Sequence, residues 1–189
     1  MKTEKGIPGY VQGQKRIRTL RTILLLALVA AVFLAGLALN GGNRRNLFSI
    51  IAALCCIPFA MSCVGMFMMW MRRPVSKELV KAVSEKAAGI RVLYELYITT
   101  REHSLFLDAA AIRGNTVTAF TEDPKAAVHI PEVVRHLQRM LPSTDGPAEI
   151  KIFRDPDGFI HELQEISTEI PEDPDLEDAV GRTLKALSL

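Results

Sequence analysis

Residues 21–44 read RTILLLALVAAVFLAGLALNGGNR, and residues 46–71 read NLFSIIAALCCIPFAMSCVGMFMMWM. No charged side chain falls between Arg21 and Arg44, and none from Asn46 to Met71. Between Ile23 and Leu39, eleven residues are Leu, Ile, Val or Phe and the rest are Ala or Gly. At roughly −0.3 to −0.6 kcal/mol for each such residue near a helix centre, insertion into a bilayer is favoured by about 3 to 6 kcal/mol. Both stretches reach the roughly 20 residues that a helix rising 1.5 Å per residue needs to cross hydrocarbon. Two such segments exceed what the rest of a 189-residue chain could bury as core helices. The first is too long for a signal-peptide apolar region, and no Ala-x-Ala-like site precedes a soluble domain. The sequence therefore predicts a transmembrane helical hairpin, with spans of about 20–39 and 47–71 joined through the Gly/Asn-rich residues 40–46.

Charge is divided along the chain. Residues 1–73 hold ten Lys and Arg against one acid, Glu4, whereas residues 74–189 hold thirteen against twenty. The division excludes a single soluble globule, and the 49% hydrophobic content excludes a disordered chain. Lys2, Lys5, Lys15, Arg16, Arg18 and Arg21 precede the first span, and Arg72, Arg73, Lys77, Lys81 and Lys86 follow the second. Only Arg44 and Arg45 lie between them. Cations resist translocation, so the expectation is a two-pass plasma-membrane protein with both termini cytoplasmic and the lipid bilayer as its first partner. Trp70, beside Arg72, fits an interfacial anchor.

The expected divisions are a basic cytoplasmic tail (1–18), the transmembrane hairpin (19–73), a cytoplasmic α/β domain (74–168), and an acidic linker with a C-terminal amphipathic helix (169–189). Ala27, Ala31 and Ala35 on the first span, and Ala52, Cys56 and Ala60 on the second, form small-residue ridges that suit close packing within the hairpin or between copies. Pro58 should kink the second span. Cys55, Cys56 and Cys63 among five methionines read as apolar filling rather than a copper path, since no His or acid accompanies them. Beyond Arg21 at the edge of the first, neither span holds a charged residue, which argues against ion transport.

After Arg73 the pattern becomes that of a small folded domain. Ser76–Ala88 carries a helical stripe ending at Gly89. Ile90, Val92, Tyr94, Leu96 and Ile98 alternate with strand period. Ser104–Ile112 and Thr116–Thr121 flank turn chemistry at Arg113-Gly114-Asn115. Pro131 is expected at the first position of the next helix. Glu149–Arg154 reads as a fourth strand, and Asp155-Pro156 as the cap and start of another helix. Glu169–Asp175 reads as a linker before a last helix with Leu176, Val180, Leu184 and Leu187 on one side. The predicted order is α-β-β-β-α-β-α with a mostly antiparallel sheet, plus the terminal helix.

This order resembles the core of the PD-(D/E)xK nuclease-like superfamily. The resemblance places Asp108 on the second strand and Asp123-Pro124-Lys125 after the third. It implies that Asp108, Asp123 and Lys125 would hold Mg2+ and orient water in a phosphodiesterase or nuclease. Leu107 and Pro124 depart from that pattern, and the domain's acidity argues against a nucleic-acid partner. Two further patterns carry ligand chemistry. His161 and Glu165 lie four apart, as weak metal-ligand candidates, and so do Glu132 and His136, with His129 close by. Each is also the ordinary polar face of an amphipathic helix.

Over most of its length the chain also resembles a group of bacterial two-span membrane proteins of uncharacterised activity. The resemblance rests on Arg18–Thr22, on Asn40-Gly41-Gly42-Asn43, on the Ala110–Thr116 hairpin and on Thr121–Lys125. Some members of that group carry an O-linked GlcNAc transferase-like label. This sequence has neither the tetratricopeptide repeats nor the sugar-nucleotide domain such an activity would use. The expected function is that of a membrane-anchored, non-catalytic binding or oligomerisation module with no cofactor, its partner a second copy or another protein. A membrane-anchored Mg2+-dependent nuclease or phosphodiesterase is the alternative.

Overall fold

The computed structural model describes residues 4–41, 43, 47–87, 89–100, 102–124, 126–143, 146–168 and 173–188. The chain divides into two compact units, Val11–Arg73, and Met1–Tyr10 together with Pro74–Leu189.

The first unit is built on α1 (Tyr10–Leu39) and α2 (Leu47–Trp70). Their 30 and 24 residues correspond to about 45 and 36 Å of helix at 1.5 Å per residue. Mean hydropathy reaches 2.8 and 2.4 in their most apolar windows, of which only 11% and 6% is buried. Both helices are long and apolar enough to cross a membrane. α1 begins earlier than the apolar run, because Tyr10–Arg18 continues the same helix. Pro58 lies inside α2 without ending it.

Polar bonds join the two helices. Thr22 Oγ1 lies 2.8 Å from Ser62 Oγ, Arg18 donates to Gly65 O at 3.1 Å, and Trp70 Nε1 donates to Thr19 Oγ1 at 3.1 Å. The more covered side of α1 carries Thr22, Leu25, Val29, Val32 and Gly36, and that of α2 carries Ala52, Cys55, Phe59 and Ser62. Ala27, Ala31, Ala35, Cys56 and Ala60 are exposed, so of those two ridges only Ala52 lies in the seam within this hairpin. Most of the expected loop at 40–46 lies outside the described residues.

The second unit is a three-layer α/β/α sandwich. A four-stranded mixed sheet has the order β1 (Arg91–Thr99), β2 (Ser104–Arg113), β3 (Thr116–Phe120), β4 (Glu149–Phe153). The first two pairings are antiparallel, and β3–β4 is parallel, as the crossover through a helix requires. Gly114, at φ +53°, opens the two-residue β2–β3 turn in the left-handed region that favours glycine.

One sheet face carries Leu93, Leu96, Ile98, Leu107, Ala110 and Ile112 against α4 (Ala126–Met140) and α6 (Pro174–Leu187). The other carries Tyr94, Ala109, Ala111 and Phe120 against α3 (Lys77–Lys86) and α5 (Pro156–Ser167). Burying these side chains supplies the drive to fold, at about 25 cal/mol per Å2 of apolar surface.

Four sequence expectations change. First, the alternation from Ile90 to Ile98 does not line one face. Val92 and Tyr94 belong to the α3/α5 side, whereas Leu96 and Ile98 belong to the α4/α6 side. The pleat changes phase at Glu95, whose φ is +56°, and β2 changes phase opposite it, between Leu107 and Ala109. Because both strands shift together, Tyr94↔Ala109 and Leu96↔Leu107 remain in one register. Second, Pro131 lies inside α4, not at its start. The helix begins at Ala126, whose N–H donates to Asp123 O at 3.1 Å.

Third, α6 is not an appendage, since Val180 and Leu184 are fully buried in the α4/α6 core. It starts inside the expected linker, at Pro174, with Asp173 capping the amides of Asp175 and Leu176. The rest of that linker, residues 169–172, lies outside the described residues. Fourth, residues 4–9 are not a separate tail, because Gly6 bridges Tyr94 on the outer edge of β1 and Lys5 donates to Ser188 O at 2.7 Å. The cap at Asp155 is as read from sequence, accepting from Gly158 N at 2.9 Å, and Ser76, expected as the first residue of its helix, is that helix's cap.

Candidate functional site

Asp108 and Asp123 come to the same end of the sheet, where β3 leaves it. Asp108 is 5% exposed on β2, and its Oδ2 accepts the backbone N–H of Glu122 at 2.8 Å. Thr121 Oγ1 donates to Phe106 O at 2.7 Å and accepts from Asp123 N at 3.2 Å. The Thr121-Glu122-Asp123 exit is thereby fastened to β2 by one carboxylate and one hydroxyl. Burial pushes the Asp108 carboxyl up to about 6; the Glu122 amide opposes that rise, and the nearby Glu122 and Asp123 charges add to it. Lys125 lies outside the described residues, so the expected triad is seen only as Asp108 and Asp123.

A second buried acid stands across the ladder from Asp108. Glu95 is 4% exposed, and its Oε1 accepts from Gly9 N at 3.3 Å and from Val75 N at 3.1 Å. The positive φ aims this carboxylate at the chain just before α1 and just after α2. A left-handed conformation at a non-glycine residue costs on the order of 1 to 2 kcal/mol, which two charge-assisted hydrogen bonds offset. Sequence reading passed over Glu95, since one acid among alternating apolar residues looks like a solvent-facing position.

Arg113 ends β2 within the Ala110–Thr116 hairpin. It is 9% exposed and spreads its guanidinium over carbonyls of other elements. Nε donates to Ile166 O, Nη2 to Ser167 O at the end of α5, and Nη1 to Gly89 O, while Glu177 of α6 lies 4.0 Å away. A cation at a helix C-terminus meets the negative end of its dipole. Arg113 thus ties three helix ends to one hairpin, which is a structural task.

His161 and Glu165 remain a pair, 3.7 Å apart on the exposed side of α5. Glu132 turns away from the expected partnership with His136. It lies beside the β1–β2 turn, where its Oε2 is 3.8 Å from His103 Nε2 and its Oε1 accepts from Thr100 Oγ1 at 2.6 Å. Glu102 completes this group, and one ligand atom from each of Glu102, His103 and Glu132 lies within 4.8 Å of the others. Among the described residues it is the one group of three His, Cys, Asp or Glu side chains so placed.

The His129 ring stacks on that of His103, with centroids 4.0 Å apart, and its Nδ1 is buried without a hydrogen-bond partner among the described residues. His129 and Glu132 were visible in sequence. Glu102 and His103 were not singled out, because only the pairing of the β1–β2 hairpin with α4 brings them close. Compared with family models, curated proteins and solved structures, the chain has no match.

Proposed function

We propose that this chain is a two-pass membrane protein whose α1–α2 hairpin anchors the α/β unit at the cytoplasmic face of the plasma membrane. We further propose that this unit works by binding, to a second copy or to another protein, rather than by catalysis. The observation that carries the reading is the composition of the α/β unit, which contains both the segment leading into α1 and the segment leaving α2. Segments that flank two spans and fold into one unit belong to one side of a bilayer. The surplus of Lys and Arg flanking the spans makes that side the cytoplasm.

The fully apolar sides of the helices support the anchoring. Leu24, Leu28, Leu34, Leu54, Ile57 and Met61 are all more than half exposed, a surface that water would not tolerate and lipid would. The binding half of the reading is supported by how the buried acids are used. The Asp108 and Glu95 carboxylates both accept main-chain N–H groups, holding turns and chain ends in place.

A membrane-anchored Mg2+-dependent phosphodiesterase is the second reading. In its favour is the approach of Asp108 to the Glu122-Asp123 exit. Its site would be Asp108, Asp123 and Lys125.

The topology is tested by single cysteines at residue 4 and residue 187 in a cysteine-free background, labelled with a membrane-impermeant maleimide in intact and permeabilised cells. Both should react only after permeabilisation. Labelling of either position in intact cells overturns the arrangement.

A further inference from the structure

We propose that Glu102, His103 and Glu132 form a binding site for one late first-row divalent cation of the zinc type. The inference does not depend on the binding or catalytic readings above.

The donor set is two carboxylates and one imidazole. Nitrogen with oxygen suits Zn2+ and its neighbours in the row, whereas Mg2+ and Ca2+ favour oxygen alone. Four-coordinate zinc with bonds of about 2.0–2.1 Å needs neighbouring ligand atoms about 3.3 Å apart. His103 Nε2 and Glu132 Oε2 already lie at 3.8 Å, and Glu102 is exposed and can close the remaining gap by side-chain rotation. Three protein ligands leave a fourth position for water or substrate.

The surroundings hold the ligands in place. Thr100 is buried, and its hydroxyl donates to Glu132 Oε1, leaving Oε2 turned toward His103. The same hydroxyl accepts from His103 N at 3.1 Å, and Thr100 N donates to His103 O at 2.8 Å, so the turn that carries His103 is closed on itself. The His129 ring lies beside the His103 ring, with centroids 4.0 Å apart and planes tilted by 33°, and restricts its rotation. Such outer contacts commonly tune metal affinity by about 10- to 100-fold. Two carboxylates this close repel each other unless a cation lies between them. Among the described residues neither Glu102 nor Glu132 has a Lys or Arg partner.

The test uses the full-length chain without a histidine tag, in detergent micelles, stripped with EDTA and titrated with ZnCl2 against a chromophoric chelator, with MgCl2 in parallel. One Zn2+ per chain should bind, and a tenfold excess of Mg2+ should not compete. His103→Ala and Glu132→Gln should each weaken binding by about tenfold or more, while His161→Ala leaves it unchanged. Co2+ in place of Zn2+ should give a visible absorption band that His103→Ala abolishes. Glu102→Gln, on an exposed side chain, keeps the test sound if the other variants fail to fold, and it should also weaken binding. The proposal is overturned if Zn2+ does not bind, if binding is unchanged in Glu102→Gln or in His103→Ala, or if Mg2+ binds equally well.

Discussion

Asp108 is a carboxyl that the fold keeps dry and ties to one amide, and the two effects act in opposite directions. Its ordinary value near 3.9 rises to about 6 in the folded chain. Between about pH 4 and 6 the folded state therefore binds more protons than the unfolded state, and stability falls as pH rises through that window. Above about 6 the loss is complete, at roughly 3 kcal/mol for a shift near two units. Asp108→Asn keeps an oxygen for the Glu122 amide and removes the charge. It should raise stability by up to about 2 kcal/mol at pH 7.5 and change little at pH 4.5, as read from denaturant melts at the two pH values. Under the phosphodiesterase reading the same variant abolishes Mg2+-dependent hydrolysis of a phosphodiester. The pair of phase changes at Glu95 and Asp108 was not legible in sequence. Ile90, Val92, Tyr94, Leu96 and Ile98 fit period two without a break, and a left-handed residue preserves the count while turning the strand over.

Elements were legible where the signal is local. Ser76 and Asp155-Pro156 announce helix starts because capping needs only a side-chain oxygen and the next turn's amides. The start of α4 was misplaced for the converse reason, since proline is favoured at a first helical position but tolerated further in when packing outweighs one lost hydrogen bond. Val133 and Leu137 supply that packing, being buried against the sheet, while Pro131 itself is exposed. Pro131→Ala should restore an N–H donor for Ala127 O and remove the ring's clash with that carbonyl. A gain of about 1 to 3 kcal/mol is expected, measured as a raised thermal midpoint in the detergent-solubilised chain. The role of α6 had no local signal. An amphipathic helix after an acidic run reads the same whether its apolar side meets this sheet or another surface.

For the whole molecule, the pair of long apolar helices was the most legible feature and the seating of residues 4–9 and 188 the least. Hydropathy needs one window of sequence, whereas the bridges from Gly6 to Tyr94 and from Ser188 to Ile98 join residues almost half the chain apart. These two contacts cover the outer edge of β1, which would otherwise offer unpaired main-chain groups to another strand. Glu95 fastens one of them. Glu95→Ala removes the acceptor shared by Gly9 and Val75 and should cost about 2 to 4 kcal/mol. Trypsin cleavage at Lys5 should quicken in parallel. Glu95→Gln keeps an acceptor and should lose less on both measures.

That clasp also orders events during synthesis. Gly9 and its carboxylate partner are 86 residues apart, so at 5–20 residues per second the ribosome needs about 4 to 17 s to deliver one after the other. On the proposed topology, α1 and α2 both emerge within that interval. Residues 4–9 must wait unpaired while the hairpin is handed to the translocon, and they dock only once β1 has followed. Docking then acts as a latch that closes behind membrane insertion, and a hairpin inserted with its ends on opposite sides could never engage it.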